Sequence, residues 1–173
     1  MSSRACGRSA AVAAGPDRAR PAAAADLEMH ELRRGKIDRA TMDRRLDRIL
    51  PTLDYTGFRR AGIVIEAVVE SLQVKHQVLR DLETVLPEGF IFATNTSSLP
   101  IASIAAPARR PEDVVGLHFF NPVHRMPLIE VVRGVRTSDT AVATAVELAK
   151  RIGKTPVVVA DAPGFLVNRI LMT

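Results

Sequence analysis

A chain of 173 residues is long enough for one domain with a substantial core and too short for two full ones. Its 47% hydrophobic and 25% charged content suits a globular protein, and no run approaches the roughly 20 uninterrupted apolar residues of a membrane span. The net charge of +5 does not point to nucleic acid: part of it comes from Arg4, Arg8, Arg18 and Arg20 near the N-terminus, and one tyrosine with no tryptophan leaves few stacking platforms, so an anionic small molecule is the expected partner.

In chain order, residues 1–30 read as an unstructured or mis-started leader, because Ala-Ala-Gly-Pro and Arg-Pro-Ala-Ala-Ala-Ala interrupt whatever helix begins. The first 25 residues are rich in Ala, Ser and Arg with one acid, Asp17, which is also the composition of a transit peptide. Cys6 is the sole cysteine, so no internal disulfide forms and a reducing compartment is permitted. The cytoplasm is therefore expected, with the mitochondrion as the alternative. Residues 26–49 predict a helix or helical hairpin interrupted at Gly35 and ended by Pro51.

The β-branched run Ile63-Val64-Ile65-Glu66-Ala67-Val68-Val69 predicts a strand buried on both faces of a parallel sheet. Leu72, Val74, Val78, Leu79, Leu82, Val85 and Leu86 recur at helical spacing over residues 71–86, and Pro87 and Gly89 close that helix. Residues 90–94 predict a second strand, and residues 95–100 turn into a short helix near 101–105. Strands at 114–119 and 128–132 follow, then a helix capped by Thr137 or Ser138 and running to about residue 152, then a strand at 155–159. Strands alternating with helices at these lengths predict an α/β fold with a doubly wound parallel sheet, which binds ligands beyond the carboxyl ends of its strands. Glu70, the stretch from Asn95 to Ser98, His118 and Asn121 all fall at such ends.

These polar positions admit plain readings beside functional ones. His118 suits general acid or base work if Glu130, on the next strand, reaches its second ring nitrogen; otherwise Glu130 is a buried acid paired with an arginine. Asn95-Thr96-Ser97-Ser98-Leu99-Pro100 is either a capped turn or a loop presenting Ser97 to a ligand. Gly164 allows close backbone approach, and Asn168 is either an exposed amide or a donor to a substrate oxygen. Glu70 and Lys75 form a solvated pair by default. A metal site built from His118, His124 and Glu130 lacks the spacing of zinc-binding helices, so no metal is expected.

Taken together, Ile65-Glu66-Ala67-Val68-Val69-Glu70, Asn95-Thr96-Ser97-Ser98-Leu99-Pro100-Ile101, Gly116-Leu117-His118-Phe119-Phe120-Asn121-Pro122-Val123 and Asp161-Ala162-Pro163-Gly164-Phe165-Leu166-Val167-Asn168-Arg169 resemble the successive signatures of the 3-hydroxyacyl-CoA dehydrogenase family. The resemblance spans residues 31–171. Through Leu50-Pro51-Thr52-Leu53-Asp54-Tyr55 it is most similar to the form within the multifunctional fatty-acid oxidation alpha subunit. It implies NAD as cofactor and a 3-hydroxyacyl-CoA as substrate, with His118 as base and Glu130 as its orienting partner. Ser97 and Asn168 would then hold the substrate's C3 oxygen, and Glu70, Lys75, Ser97 and Asn121 would touch the nicotinamide half of NAD.

The sequence departs from the family at both ends. No Gly-x-Gly-x-x-Gly turn is present, Gly7 and Gly15 being isolated, and the chain stops at Thr173, where a helical, dimerising domain would follow. The expectation is therefore an incomplete Rossmann-like sheet lacking its first βα unit or units. Residues 31–173 would form a partial NAD-binding domain, weak or inactive by itself. A non-catalytic module binding a nucleotide or another subunit is the alternative.

Overall fold

The structure, a computed structural model, describes residues 8–12, 19–50, 52 and 54–171. Arg4, Cys6, Gly7, Gly15, Asp17, Arg18, Pro51 and Leu53, weighed above, lie outside them. The chain forms two compact units, one comprising residues 1–13 and 58–173, the other residues 14–57.

The first unit is built on a six-stranded sheet: β1 (Arg8–Val12), β2 (Ala61–Glu66), β3 (Ile91–Thr94), β4 (Val114–Phe119), β5 (Leu128–Arg133) and β6 (Thr155–Ala160), lying side by side in chain order. Helices α3 (Leu72–Val85), α4 (Ile101–Ala105) and α5 (Asp139–Arg151) are the connections after β2, β3 and β5, and α6 (Val167–Leu171) ends the unit. The second unit holds α1 (Ala19–Arg33) and α2 (Arg39–Leu46), a helical hairpin. Asp38 caps α2 by accepting from the Thr41 amide, and Arg45 pairs with Glu28 at 3.1 Å.

Two features depart from the sequence reading. Strand β1 and the start of α1 lie within residues 1–30, the stretch read as an unstructured leader. Pro21 does not stop α1 because it is the third helical residue, where the missing N–H has no intrahelical acceptor in any case. Strand β1 pairs in parallel with β2 along its length. Second, the sheet is not wholly parallel, since β4 and β5 run antiparallel. The segment joining them, residues 120–127, is too short for the crossover of a dozen or more residues that a parallel neighbour requires.

Alternation along the strands sorts the side chains into two layers. Ile63, Ile91, Ala93, Val115, Leu117, Ile129 and Val131 form one core with Ala141, Val142, Ala145, Leu148 and Ala149 of α5. Of the two caps the sequence allowed for α5, Ser138 is used, accepting from the Ala141 amide at 3.1 Å; Thr137 instead donates to the Val114 carbonyl. The alternate positions face the other way, and there Gly116 lies against Val132 and Ile101 of α4. A Cβ on Gly116 would lie 2.6 Å from Val132 Cβ, an atom with no freedom to swing aside. Gly116→Ala should therefore cost about 1–3 kcal/mol of stability by overpacking. Denaturant unfolding measures this, and a midpoint equal to that of the parent chain would show that α4 yields.

The same parity places Glu66, Thr94, His118 and Glu130 on the α4 side. Glu66, Thr94 and Gly116 form one row across the sheet, and His118 faces Glu130 in the antiparallel ladder one step closer to the edge.

Candidate active site

Direct cross-strand pairing brings the His118 and Glu130 side chains together. His118 Nδ1 lies 2.7 Å from Glu130 Oε2. Of the two sequence readings, the contact with His118 is the one that forms, and among the described residues no arginine bonds Glu130. It is fully buried, and its other oxygen accepts the backbone amides of Leu166 (3.0 Å) and Val167 (2.9 Å) at the start of α6. A buried carboxylate with three donors is well compensated. With Nδ1 committed to Glu130, Nε2 is the ring nitrogen left to exchange a proton. His118 is only 7% exposed, and its ring is bordered by Phe120 (centroids 4.7 Å apart) and Phe165 (5.7 Å).

The turn at residues 161–166 makes that arrangement possible. Gly164 has φ +72° and Phe165 φ +48°, both in the left-handed region, the first natural for glycine and the second strained for phenylalanine. The reversal buries Phe165 beside His118 and aims the next two amides at Glu130. Asp161 fastens the turn to α4, on the same side of the sheet as His118, by accepting from the Ala102 amide in the first turn of that helix at 3.0 Å. Asn168, one residue beyond Val167, reaches the Ser97 carbonyl in a long 3.5 Å contact.

A second cluster occupies the ends of β2 and β3. Lys75 is completely buried, contrary to the solvated pair that is the default for such charges. Its ammonium bonds both oxygens of the equally buried Glu66 (2.9 and 3.0 Å) and Glu70 Oε2 (3.3 Å). Glu66 also accepts from the Val68 amide and the Thr94 hydroxyl, each at 2.7 Å. Glu70 Oε1 collects the loop that follows β3: Thr96 Oγ1 at 2.5 Å, the Ser97 amide at 3.0 Å, and the amide and hydroxyl of Ser98 at 3.2 and 3.1 Å. Thr96, not Ser97, forms the local turn, accepting from the Leu99 amide at 2.9 Å. Ser97 is left with an exposed side chain. Asn95 joins the clusters, its amide donating to the Glu66 carbonyl (2.7 Å) and its side-chain oxygen accepting from the Phe119 amide (2.9 Å) next to His118.

Burial opposes ionisation of Glu70, but the Thr96 hydrogen bond, the Lys75 charge and the Ser97 amide outweigh it, holding the carboxyl down to about 2. A depressed folded value means that this group's contribution to stability is complete above its ordinary range near 4.5 and is lost as pH falls towards 2. Carboxyl-resolved NMR titration should find Glu70 still ionised at pH values below its ordinary value of 4.5; a midpoint at that value would mean the four-donor cradle does not hold.

The residues singled out from sequence thus fall into three places. His118, Glu130, Asn168 and Ser97 are linked through the turn before α6. Glu70 organises the Ser97 loop, and Lys75, sealed from solvent, is linked to that loop through Glu70. Asn121 is exposed three residues past His118. Sequence reasoning missed Glu66, Thr94, Asn95 and Asp161 as structural partners of the site. Glu66 carried a readable signal: an acid inside an apolar strand requires a buried partner, and Lys75 is the cation on the next helix's first turn.

The family model for the NAD-binding domain of 3-hydroxyacyl-CoA dehydrogenase matches residues 12–162. Among solved structures, 3-hydroxybutyryl-CoA dehydrogenase from Escherichia coli is 33% identical with a TM-score of 0.89, covering 95% of this chain and 40% of that one. FadB2 from M. tuberculosis is 37% identical with a TM-score of 0.80, over 93% of this chain and 58% of its own. The dehydrogenase part of multifunctional enzyme 1 from C. elegans is 26% identical with a TM-score of 0.73, over 89% and 41%. The chain therefore spans well under two thirds of the length of each of these proteins. No helix among the described residues is long and apolar enough to cross a membrane. An α/β sheet of this order, with its polar residues gathered at one edge and a match over most of its length, places the chain in the 3-hydroxyacyl-CoA dehydrogenase family, as an NAD-binding domain.

Proposed function

We propose that the chain carries the proton-transfer half of an NAD-dependent oxidation of (3S)-3-hydroxyacyl-CoA to 3-ketoacyl-CoA, in fatty-acid β-oxidation. The observation that carries this reading is the 2.7 Å contact between His118 and a fully buried Glu130 at the ligand-binding edge of the sheet.

The residues present fit the nicotinamide end of the cofactor. Glu70, with 35% of its side chain exposed, offers Oε2 as an acceptor for a ribose hydroxyl, while Oε1 is taken up by the loop. Ser97 is held by Glu70 with its side chain exposed, Asn121 is exposed three residues past His118, and Lys75 contributes through Glu70. When bound, NAD supplies the hydride acceptor. His118 Nε2 takes the proton of the C3 hydroxyl, and Glu130 stabilises the imidazolium that results. Ser97 and Asn168 hold the C3 oxygen, drawn to one side of the cleft by the contact between them. The flanking Phe120 and Phe165 keep water from the ring, which strengthens the His118–Glu130 interaction. A single cysteine accords with cytoplasmic residence.

A second reading is favoured by one specific observation, the absence from this sequence of the Gly-x-Gly-x-x-Gly turn that cradles a pyrophosphate. On that reading the chain by itself is a nucleotide- or subunit-binding module without turnover. One assay separates the two: oxidation of 3-hydroxybutyryl-CoA with NAD by the purified chain, followed as NADH formation, beside direct titration with NADH. Turnover supports the first reading. NADH binding without turnover supports the second as a nucleotide-binding module, and neither binding nor turnover overturns both the first reading and that form of the second.

A further inference from the structure

We infer that Glu66 is a positioning residue: through Lys75 it sets where Glu70 stands, and so where the Ser97 loop meets the cofactor and substrate. The consequence for catalysis rests on the dehydrogenase reading; the positioning itself does not.

Glu66 and Lys75 are both wholly buried. A buried ion pair is weak support for stability, because desolvating two charges offsets much of their attraction, and apolar residues often replace such a pair without loss. What the pair does here follows from its connections. Lys75 holds two carboxylates at once, Glu66 below and Glu70 above, and an ammonium with only one of them would be free to draw that one inward. Glu66 therefore anchors the cation, and the anchored cation fixes how far Glu70 extends towards the loop. Glu70 Oε1 then gathers Thr96, Ser97 and Ser98 on a single oxygen.

Glu66 also ties down the neighbouring strand directly. Its side chain accepts from Thr94, its register partner on β3, and its carbonyl accepts from the amide of Asn95, whose side chain holds the residue after His118. One buried residue thereby reaches both halves of the site, the first through its carboxylate and the second through its main-chain carbonyl, although no atom of it is exposed.

The test compares the parent chain with Glu66→Gln, Glu70→Gln and the double variant by amide hydrogen exchange, with NADH titration in parallel. The Glu66→Gln change keeps the volume and the Val68 and Thr94 contacts while removing the charge that anchors Lys75. Expected for Glu66→Gln is at least a tenfold loss of protection at the Ser97 and Ser98 amides relative to the amides of α5, and at least a tenfold weaker NADH affinity. Adding Glu66→Gln to Glu70→Gln should change Ser97 and Ser98 less than twofold further, because both act along one connection. Equal loss across α5 and the loop would mark a merely structural role and overturn the inference, as would additive effects in the double variant. A selective loss at Ser97 and Ser98 in a chain that binds no NADH would sustain the positioning role while overturning the dehydrogenase reading. If Glu66→Gln does not fold, Glu66→Met combined with Lys75→Met removes both charges together. The same loss at Ser97 and Ser98 is then expected, and retained protection there overturns the inference.

Discussion

Replacing His118 by glutamine is expected to lower kcat for 3-hydroxybutyryl-CoA oxidation by about 10²–10⁴-fold with little change in KM, whether measured in this chain or in a longer protein that contains it. Glutamine is a sharper substitution than alanine. Its amide can still donate to Glu130, so the buried carboxylate keeps a partner and α6 stays in place, while the group able to accept a proton is gone. Alanine would remove the base too, but it would also empty the space between Phe120 and Phe165 and leave Glu130 Oε2 unpaired, mixing a stability defect with the chemical one. Rates of both variants against substrate concentration, with their unfolding midpoints, separate the contributions. A loss of less than about threefold in the glutamine variant would remove His118 from the role of base.

Glu130 gives the second large effect, and here two substitutions should diverge. Glu130→Ala leaves the Leu166 and Val167 amides and His118 Nδ1 without the acceptor that a fully buried Glu130 supplies. Breaking such a buried cluster costs about 3–5 kcal/mol. For a chain of this size that corresponds to a fall on the order of 10 °C in Tm. Glu130→Gln behaves differently. If its oxygen serves the two amides, its NH₂ faces His118 Nδ1 and makes that nitrogen the acceptor. The ring then carries its proton on Nε2, the position that has to be empty to receive one. The expected result is a folded protein with most of its Tm and a rate reduced as far as in the His118 variants. Full activity in Glu130→Gln would show that the tautomer is not set by this contact, and an unchanged Tm in Glu130→Ala would show that the amides of α6 find water instead.

The linear chain determined a good deal of this. Most strands, and the helices at 72–85, 101–105 and 139–151, were legible because apolar residues repeat at the spacing of their own backbone, a local property that burial reinforces. Ser97, His118 and Asn168 were legible as members of ordered motifs, and Glu130 as an acid on the strand after His118. Their assembly was not. That Glu130 meets His118 depends on β5 running antiparallel to β4, and nothing in the composition of residues 128–133 distinguishes the two directions; the shortness of the connecting segment decides it. Strand β1 escaped because its pairing with β2 joins residues some fifty positions apart, and the small-residue sequence that forms it has little preference of its own. Lys75 was misjudged as solvated because a charge is placed by its partners, and both carboxylates that hold it, Glu66 at the end of a strand and Glu70 in the following turn, come into reach only when α3 folds back over the sheet. The chain specified which groups are present; folding decided which are buried, which are paired, and that His118 meets Glu130 through Nδ1, since those outcomes depend on distances that local sequence does not encode.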